Sequence, residues 1–519
     1  MSSIDDIWAD MQSQSSSAKS IVKKVVSKKS KDLKERKVCP NDNDEKLEEC
    51  LSPEQVLRNI RSLALQLENE DVLMRRKALT QMNSVLFEKK NSLEATEFSS
   101  IFRDICKPLF KRMSDPVEKC RELSLRIVSK LFTKASDLMP VLGYYFPCLM
   151  QRLPAGIGYD EELKVFVSDI ESHEAFKRGR AIDRQDKGGS KGLSTHIVIE
   201  PSEEIRYLLC DTLTSLISKL VALDATSILQ PYFHDIVIFT QVQLKDPYPE
   251  LKILACQVLE TLTHRSEFEI GMKFYAVGLV RAILPLLRHR HAKVRLAAIK
   301  ATAACVTVPD RDKRKGAGTE AITDLVGFRE ENVLQVSAFY KSDVMVNYLA
   351  ELVCDGSVAV REALVDMLTR FLTQIGDRYD HQQRLLPYIL DLLNDDTPAV
   401  SKAALHCLSE CGRQYEEENR DDVLEKRQYG VDGDEDINLS LPLPSPFTSR
   451  PSLGIRLFVK GNTKRFLGAL TNELTNWISR TRLKSAGLLK VIYLENKFYI
   501  LLYIMITFTR WWWCYVRRV

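Results

Sequence analysis

The amino-acid sequence predicts an all-α fold: an α-solenoid of stacked helical hairpins. Three observations predict it. Apolar residues fall at the i, i+3, i+4, i+7, i+8 and i+11 positions of one helical face in stretch after stretch. These stretches recur at a near-constant spacing. Each follows a turn carrying Asp, Pro or Gly, and before that turn comes a second apolar segment of helical period.

In chain order, the first stripe is Arg75, Ala78, Leu79, Met82 and Leu86, which has no apolar anchor. The second is Cys120, Leu123, Ile127, Val128 and Leu131, with Ser124 as its exception. Ile205, Leu208, Leu209, Leu213 and Leu216 follow, with Thr212 as the exception. Leu251, Leu254, Ala255, Val258, Leu259 and Leu262 match throughout. Val294, Ala297, Ala298, Ala301 and Cys305 match around Thr302. Val360, Ala363, Leu364, Met367, Leu368 and Phe371 match throughout, as do Val400, Ala403, Ala404, Cys407, Leu408 and Cys411.

The anchors lie at 75, 120, 205, 251, 294, 360 and 400, so their separations are 45, 85, 46, 43, 66 and 40. A two-helix period of about 40–47 residues is that of HEAT and armadillo arrays. The two long intervals hold polar insertions at about 155–200 and 308–330. The first helix of each unit is also legible. Leu386, Ile389, Leu390 and Leu393 share a face ahead of the last anchor, and "GLVRAILPLLRHRHA" holds the same place one insertion earlier. Pro285 and Pro387 fall inside these helices and predict kinks there. One hairpin buries too little apolar surface to offset the entropy of ordering it, so the units must stack.

The flanks read differently. Residues 1–50 read as a disordered segment, basic and then acidic, with eight Lys and one Arg between residues 19 and 37. That run suits a solvated tail, a nuclear signal or an anionic-surface anchor. The array is predicted over 51–412. An acidic and then Pro/Ser-rich linker follows over 413–455, and further HEAT-like helices over 456–496, where Phe466, Leu470, Leu474 and Ile478 share a face. Residues 497–519 are apolar and aromatic. Their clean run, Phe498 to Phe508, has eleven residues, and a membrane helix needs about twenty. Residues 498–516 therefore read as an atypical ending, with a membrane contact or a buried final helix as alternatives.

Composition limits the function classes. Of 519 residues, 45% are apolar and 28% charged, with a formal net charge of +4, which is too balanced for a dedicated nucleic-acid binder. The twelve cysteines form no CxxC pair and no zinc spacing. The polar, acidic N-terminus is no secretory signal, which places the chain in a reducing compartment, the cytosol or nucleus. Cys120, Cys305, Cys407 and Cys411 fall on buried faces and read as small core residues. No phosphate-binding glycine loop, HExxH or GxSxG occurs, so no enzyme and no cofactor is predicted.

Two features invite a finer reading. The turn "RHRHAK" is the most charged in the array, and Arg288, His289, Arg290 and Lys293 are its candidate partner-binding residues. Its competing readings are cations that suit a helix C-terminus and, for His289 and His291, a metal pair without a third ligand. Arg206, Lys252, Arg295 and Arg361 all stand just after an anchor. They are predicted to form a structural ladder with acidic turn residues of the next unit, such as Asp246 and Asp355.

Three strings carry a resemblance: "HAKVRLAAIKATAACV", the stretch from "GDRYDHQQRLLPYILDLL" to "DDVLEK", and "RPSLGIRLFVKGNTKRFLGALTNELTNWISRTRLKSAGLLKVIYL". They resemble the HEAT-repeat axonemal dynein assembly factor, the dynein axonemal assembly factor 5 family, over roughly residues 55–495. The resemblance implies a cytoplasmic, non-enzymatic scaffold for preassembling the dynein arms of motile cilia and flagella. It also implies partners among axonemal dynein intermediate and heavy chains and other assembly factors or chaperones, with no nucleic acid. The chain departs from the family in its lysine-rich start and its first insertion. It also turns into the aromatic tail near Lys497, where family members continue with more repeats; a truncated product is the expectation there. The alternative function is a HEAT transport receptor or microtubule-associated scaffold.

Overall fold

The computed structural model describes residues 53–88, 93–154, 157–160, 164–168, 200–308, 318–327, 347–428, 446–448, 451–474, 482–483 and 485–489. The predicted disordered segment, the middle of the linker (429–445 and 449–450) and the aromatic tail lie outside them. The described chain is a succession of helical hairpins with one β-hairpin inserted.

The helices are α1 (Pro53–Gln66), α2 (Val72–Asn83), α3 (Ala95–Lys111), α4 (Glu118–Lys134), α5 (Met139–Met150), α6 (Glu203–Ala222), α7 (Phe233–Leu244), α8 (Pro249–Thr263) and α9 (Glu269–Ile283). Next come α10 (Ala292–Val306), α11 (Gly318–Val326), α12 (Tyr348–Val353), α13 (Val358–Thr373), α14 (Arg378–Leu392), α15 (Pro398–Glu418), α16 (Arg420–Gln428) and α17 (Leu453–Glu473). Strands β1 (Ile157–Asp160) and β2 (Val165–Ser168) pair antiparallel, with Ile157 opposite Ser168 and Asp160 opposite Val165.

The second helices of the units form one row. In it α2, α4, α6, α8, α10, α13, α15 and α17 pack each on the next, and the first helices form a parallel row beside them. The buried residues are the predicted stripes. Val360, Leu364, Met367, Leu368 and Phe371 are at most 1% exposed. The exceptions Ser124, Thr212 and Thr302 are buried too, and the hydroxyls of the first two find partners within their own helix. Ser124 Oγ donates to the Arg121 carbonyl at 2.9 Å, and Thr212 Oγ1 to that of Leu209 at 2.8 Å.

The structure departs from the sequence reading at four places. Arg75 is no apolar anchor: its guanidinium holds its own turn and Asp115 as the arginine after an anchor does in later units, with Met74 exposed in front of it, while Ala78, Leu79, Met82 and Leu86 are buried as predicted. The stretch read as an insertion at about 308–330 contains α11, whose Ala321, Ile322 and Leu325 are buried in the first-helix row beside α9. The other insertion contains the β-hairpin. Gly412 does not end the array, because α15 runs through it to Glu418. A Cβ there would lie 2.5 Å from Ile455, so Gly412 lets α17 cross α15 closely. Of the two prolines, Pro285 coincides with a change from α-helix to a 3-10 segment, Leu284–Arg288, whereas α14 continues through Pro387.

Five of the joints are tied by one recurring side-chain device. Arg206 Nε donates to Asp246 Oδ2 at 2.7 Å, while its Nη1 donates to the Glu200 and Pro201 carbonyls of its own turn at 3.0 and 3.1 Å. Asp246 Oδ1 accepts the Tyr248 N–H at 2.8 Å and so caps α8. Arg75–Asp115, Arg295–Asp355 and Arg361–Asp395 repeat this geometry, and Arg121–Glu200 uses the longer carboxylate. Only a planar, multi-donor guanidinium can hold its own turn and the neighbour's carboxylate together. Arg75, Asp115, Arg121, Glu200, Arg206 and Asp246 are all under 10% exposed. Buried pairs of this kind are costly to break from one side, because the survivor stays charged and dry.

Burial opposes the charge of Asp115 and Asp395. The hydrogen bonds from Arg75 to Asp115 and from Arg361 to Asp395, with the capped backbone N–H groups, outweigh it, and both carboxyls are held below their usual range. Their stabilisation is therefore complete above the ordinary carboxylate pKa of about 4 and is lost as pH falls through the lower folded value. Urea midpoints should be flat from neutrality down to about pH 5 and fall below about pH 4. Asp115→Ala should cost about 3–5 kcal/mol at pH 7 in the same assay.

Candidate partner surface and family

The turn between α9 and α10 carries the four residues that the sequence singled out. Arg288 Nε donates to Glu351 Oε2 of α12 at 2.8 Å, so this guanidinium is engaged with the next unit. Arg290 is exposed and its Nε donates to His291 Nε2 at 3.0 Å. Lys293 is exposed on the first turn of α10. His289 is different in kind. It stands where the other turns place their carboxylate, and its Nδ1 accepts the His291 N–H at 3.2 Å as Asp246 accepts that of Tyr248.

That acceptor role requires a neutral ring. Burial pushes the His289 pKa down to about 4, and the nearby basic groups of Lys252, His291, Arg290 and Arg295 push the same way. His289 thus adds no charge to the surface at neutral pH, and the outward cations of the turn are Arg290 and Lys293. The sequence counted His289 among the basic residues because the turn position that buries it shows only in the fold.

The arginine ladder is present where it was predicted, at Arg206, Arg295 and Arg361. Arg75 and Arg121 extend it. The signal that finds Arg121 is a spacing of six, since Asp115 to Arg121 and Asp355 to Arg361 each link a turn carboxylate to the arginine of the same unit; Asn69 holds that place before Arg75. At the fourth unit the device changes. Lys252 takes the arginine position and His289 the carboxylate position.

Little else suggests chemistry. Among the described residues no three His, Cys, Asp or Glu side chains are grouped to hold a metal ion. Cys305 is buried and its thiol is pushed up to about 12 by that burial, which makes it inert. A shallow groove of about 370 Å³ runs between α3 and α5, lined by Lys107, Phe110, Tyr144 and Cys148. Its Lys107 ammonium sits 4.7 Å from the centre of the Tyr144 ring. The stretch Ser266–Arg288 is long and apolar enough to cross a membrane, with mean hydropathy 1.6. It forms the inner helix of a hairpin, with Met272, Leu279, Val280 and Ile283 buried.

Paired helices, a period near forty residues and a recurring arginine–carboxylate fork define the class: an α-solenoid of HEAT-like repeats. Sequence comparison narrows it. The profile described as "Dynein axonemal assembly factor 5-like, TPR repeats" matches residues 66–168, 190–315 and 329–426. The profile described as "Dynein axonemal assembly factor 5, HEAT-repeat domain" matches 442–509. Dynein axonemal assembly factor 5 of Xenopus laevis is 27% identical over 437 residues, which cover 84% of this chain and 42% of the relative. The mouse protein of that name is 24% identical over 88% of this chain and 44% of its own length, and the human one 25% over 81% and 40%. The chain belongs to the dynein axonemal assembly factor 5 family, and it spans about two-fifths of the length of these relatives. The breaks in the first profile, 169–189 and 316–328, fall inside the two stretches that the anchor spacing marked as insertions. The second match runs to residue 509, into the stretch the sequence reading set apart.

The ring of His289 should stay neutral through the ordinary histidine range. Nitrogen-15 NMR titration should find its midpoint near pH 4. A midpoint near 6.5, the ordinary value, would contradict the buried acceptor geometry.

Proposed function

We propose that this chain is a non-enzymatic cytoplasmic scaffold for preassembly of axonemal dynein arms, binding dynein subunits such as intermediate chains. The family match along both the array and its continuation is the observation that carries this reading. The physical mode follows from the fold. A stack of hairpins offers a long row of exposed turns and helix faces, and such a surface binds large partners without covalent chemistry. Heavy chains, other assembly factors and chaperones are the further partners of this reading. It needs no nucleic acid, membrane or cofactor.

The turn at Arg288, His289, Arg290 and Lys293 is our proposed contact for an acidic segment of such a subunit. Within it Arg290 and Lys293 supply the outward charge, and Arg288 and His289 hold the turn in place. Charged residues at the edge of an interface act chiefly on encounter rate and its salt dependence.

The test is recovery of dynein intermediate chains with the tagged chain from cytoplasmic extract of cells building motile cilia. Co-purification, together with loss of dynein arms on depletion, is the expected result. Arms left intact, with no dynein subunit recovered, would overturn the proposal. Co-sedimentation with purified microtubules instead would favour the microtubule-associated alternative. Arg290→Glu with Lys293→Glu should reduce recovery several-fold and leave the circular dichroism spectrum unchanged.

A further inference from the structure

We propose that the β1–β2 hairpin is a splint across the joint between the α7–α8 and α9–α10 units, and that it makes up for the missing arginine–carboxylate fork there. Two independent observations meet at this joint.

The first is the rung itself. Past α15 the position after the anchor is Ser401; between α2 and α15 every other described rung is an arginine on a carboxylate. Here the donor is Lys252, whose single ammonium cannot hold its own turn carbonyls and a neighbour in one plane. The acceptor position belongs to His289, whose Nδ1 already accepts a backbone N–H of its own turn. No charge-assisted fork can form between these two side chains.

The second is where the inserted hairpin lies. Val165 and Phe166 are 1% and 5% exposed, and β2 packs on both α7 and α9. On the α7 side, the Phe166 N–H donates to Gln241 Oε1 at 2.9 Å, and the Phe166 carbonyl accepts from Lys245 Nζ at 3.4 Å. The Phe166 ring meets His234 edge-on at 5.3 Å. On the α9 side, Phe166 lies 5.9 Å from Tyr275, and Tyr159 stacks on Phe274 at 5.8 Å. The Lys164 carbonyl rests on Gly278, where a Cβ would come within 1.6 Å of it. Lys164 has φ 57°, a left-handed backbone uncommon for a residue with a side chain. Its Nζ reaches both Glu320 oxygens on α11 at 2.9 Å, which anchors the hairpin beyond the joint as well. One hairpin thus grips both first helices of the one joint between α2 and α15 whose second-helix edge lacks a fork.

Gly278→Ala tests this without touching the hairpin. In a helix the exchange of Gly for Ala is otherwise favourable, so a stability loss reports the displaced strand. Hydrogen exchange of the full chain should become about tenfold faster in α7–α10, as the loss of one or two hydrogen-bonded contacts implies. The amides of α4 and α13 should not change. Adding Lys252→Arg with His289→Asp, which writes the missing fork, should restore the slower exchange. If Gly278→Ala does not fold, Gln241→Leu, which removes only the strand's buried acceptor, carries the same comparison. Unchanged or slower exchange in α7–α10 overturns the proposal. So does a loss spread evenly along the array, or a loss that the rewritten rung does not rescue.

Discussion

The stack depends on a constraint that an isolated hairpin cannot meet. The turn before each second helix leaves backbone carbonyls and the helix N-terminus without partners, at a seam about to be buried. The arginine after each anchor takes up the carbonyls of its own turn. The carboxylate of the next turn takes up the N-terminus of its own helix. Arginine and carboxylate then satisfy one another across the joint. Three local problems are solved only when two units are side by side, so the ladder stabilises stacking and specifies which edge meets which.

The apolar stripes supply the cohesion and the ladder supplies the register. Leucine, valine and alanine faces would tolerate sliding, since dispersion and burial are non-directional. A bidentate pair at 2.6–3.3 Å between largely buried partners is not tolerant. The fourth joint shows what happens when the fork is absent: the inserted strands lie where a second attachment between the first helices is available. The β-hairpin belongs to the same logic as the rungs, although it comes from a part of the chain that breaks the repeat.

Much of this was legible before any coordinates. Val360 through Phe371 and Leu251 through Leu262 are unbroken stripes, and all of their residues but the half-buried Leu254 are core. Arg206, Arg295 and Arg361 announced their pairs by standing next to an anchor. What escaped had a physical cause in each case. Arg75 was hidden because its anchor position holds Met74, at the start of the described array where one side has no described neighbour to bury it. Strands β1 and β2 are four residues each, too short for period-two alternation to stand out from a polar insertion. Gly412 was placed at the end of the array, yet its role is the close passage of Ile455, a contact distant in sequence. The candidate turn was located correctly, but the neutral state of His289 depends on burial and on Lys252 of the preceding unit.

The central claim is that arginine and carboxylate act together across each joint, and a double-mutant cycle on Arg206 and Asp246 measures that directly. Arg206→Ala, Asp246→Ala and the pair would be compared by urea denaturation at pH 7. The account predicts a coupling of about 2–3 kcal/mol, with the double variant less damaged than the two singles added together. A coupling below about 0.5 kcal/mol, the level of independent sites, would show that the two side chains do not hold the units together.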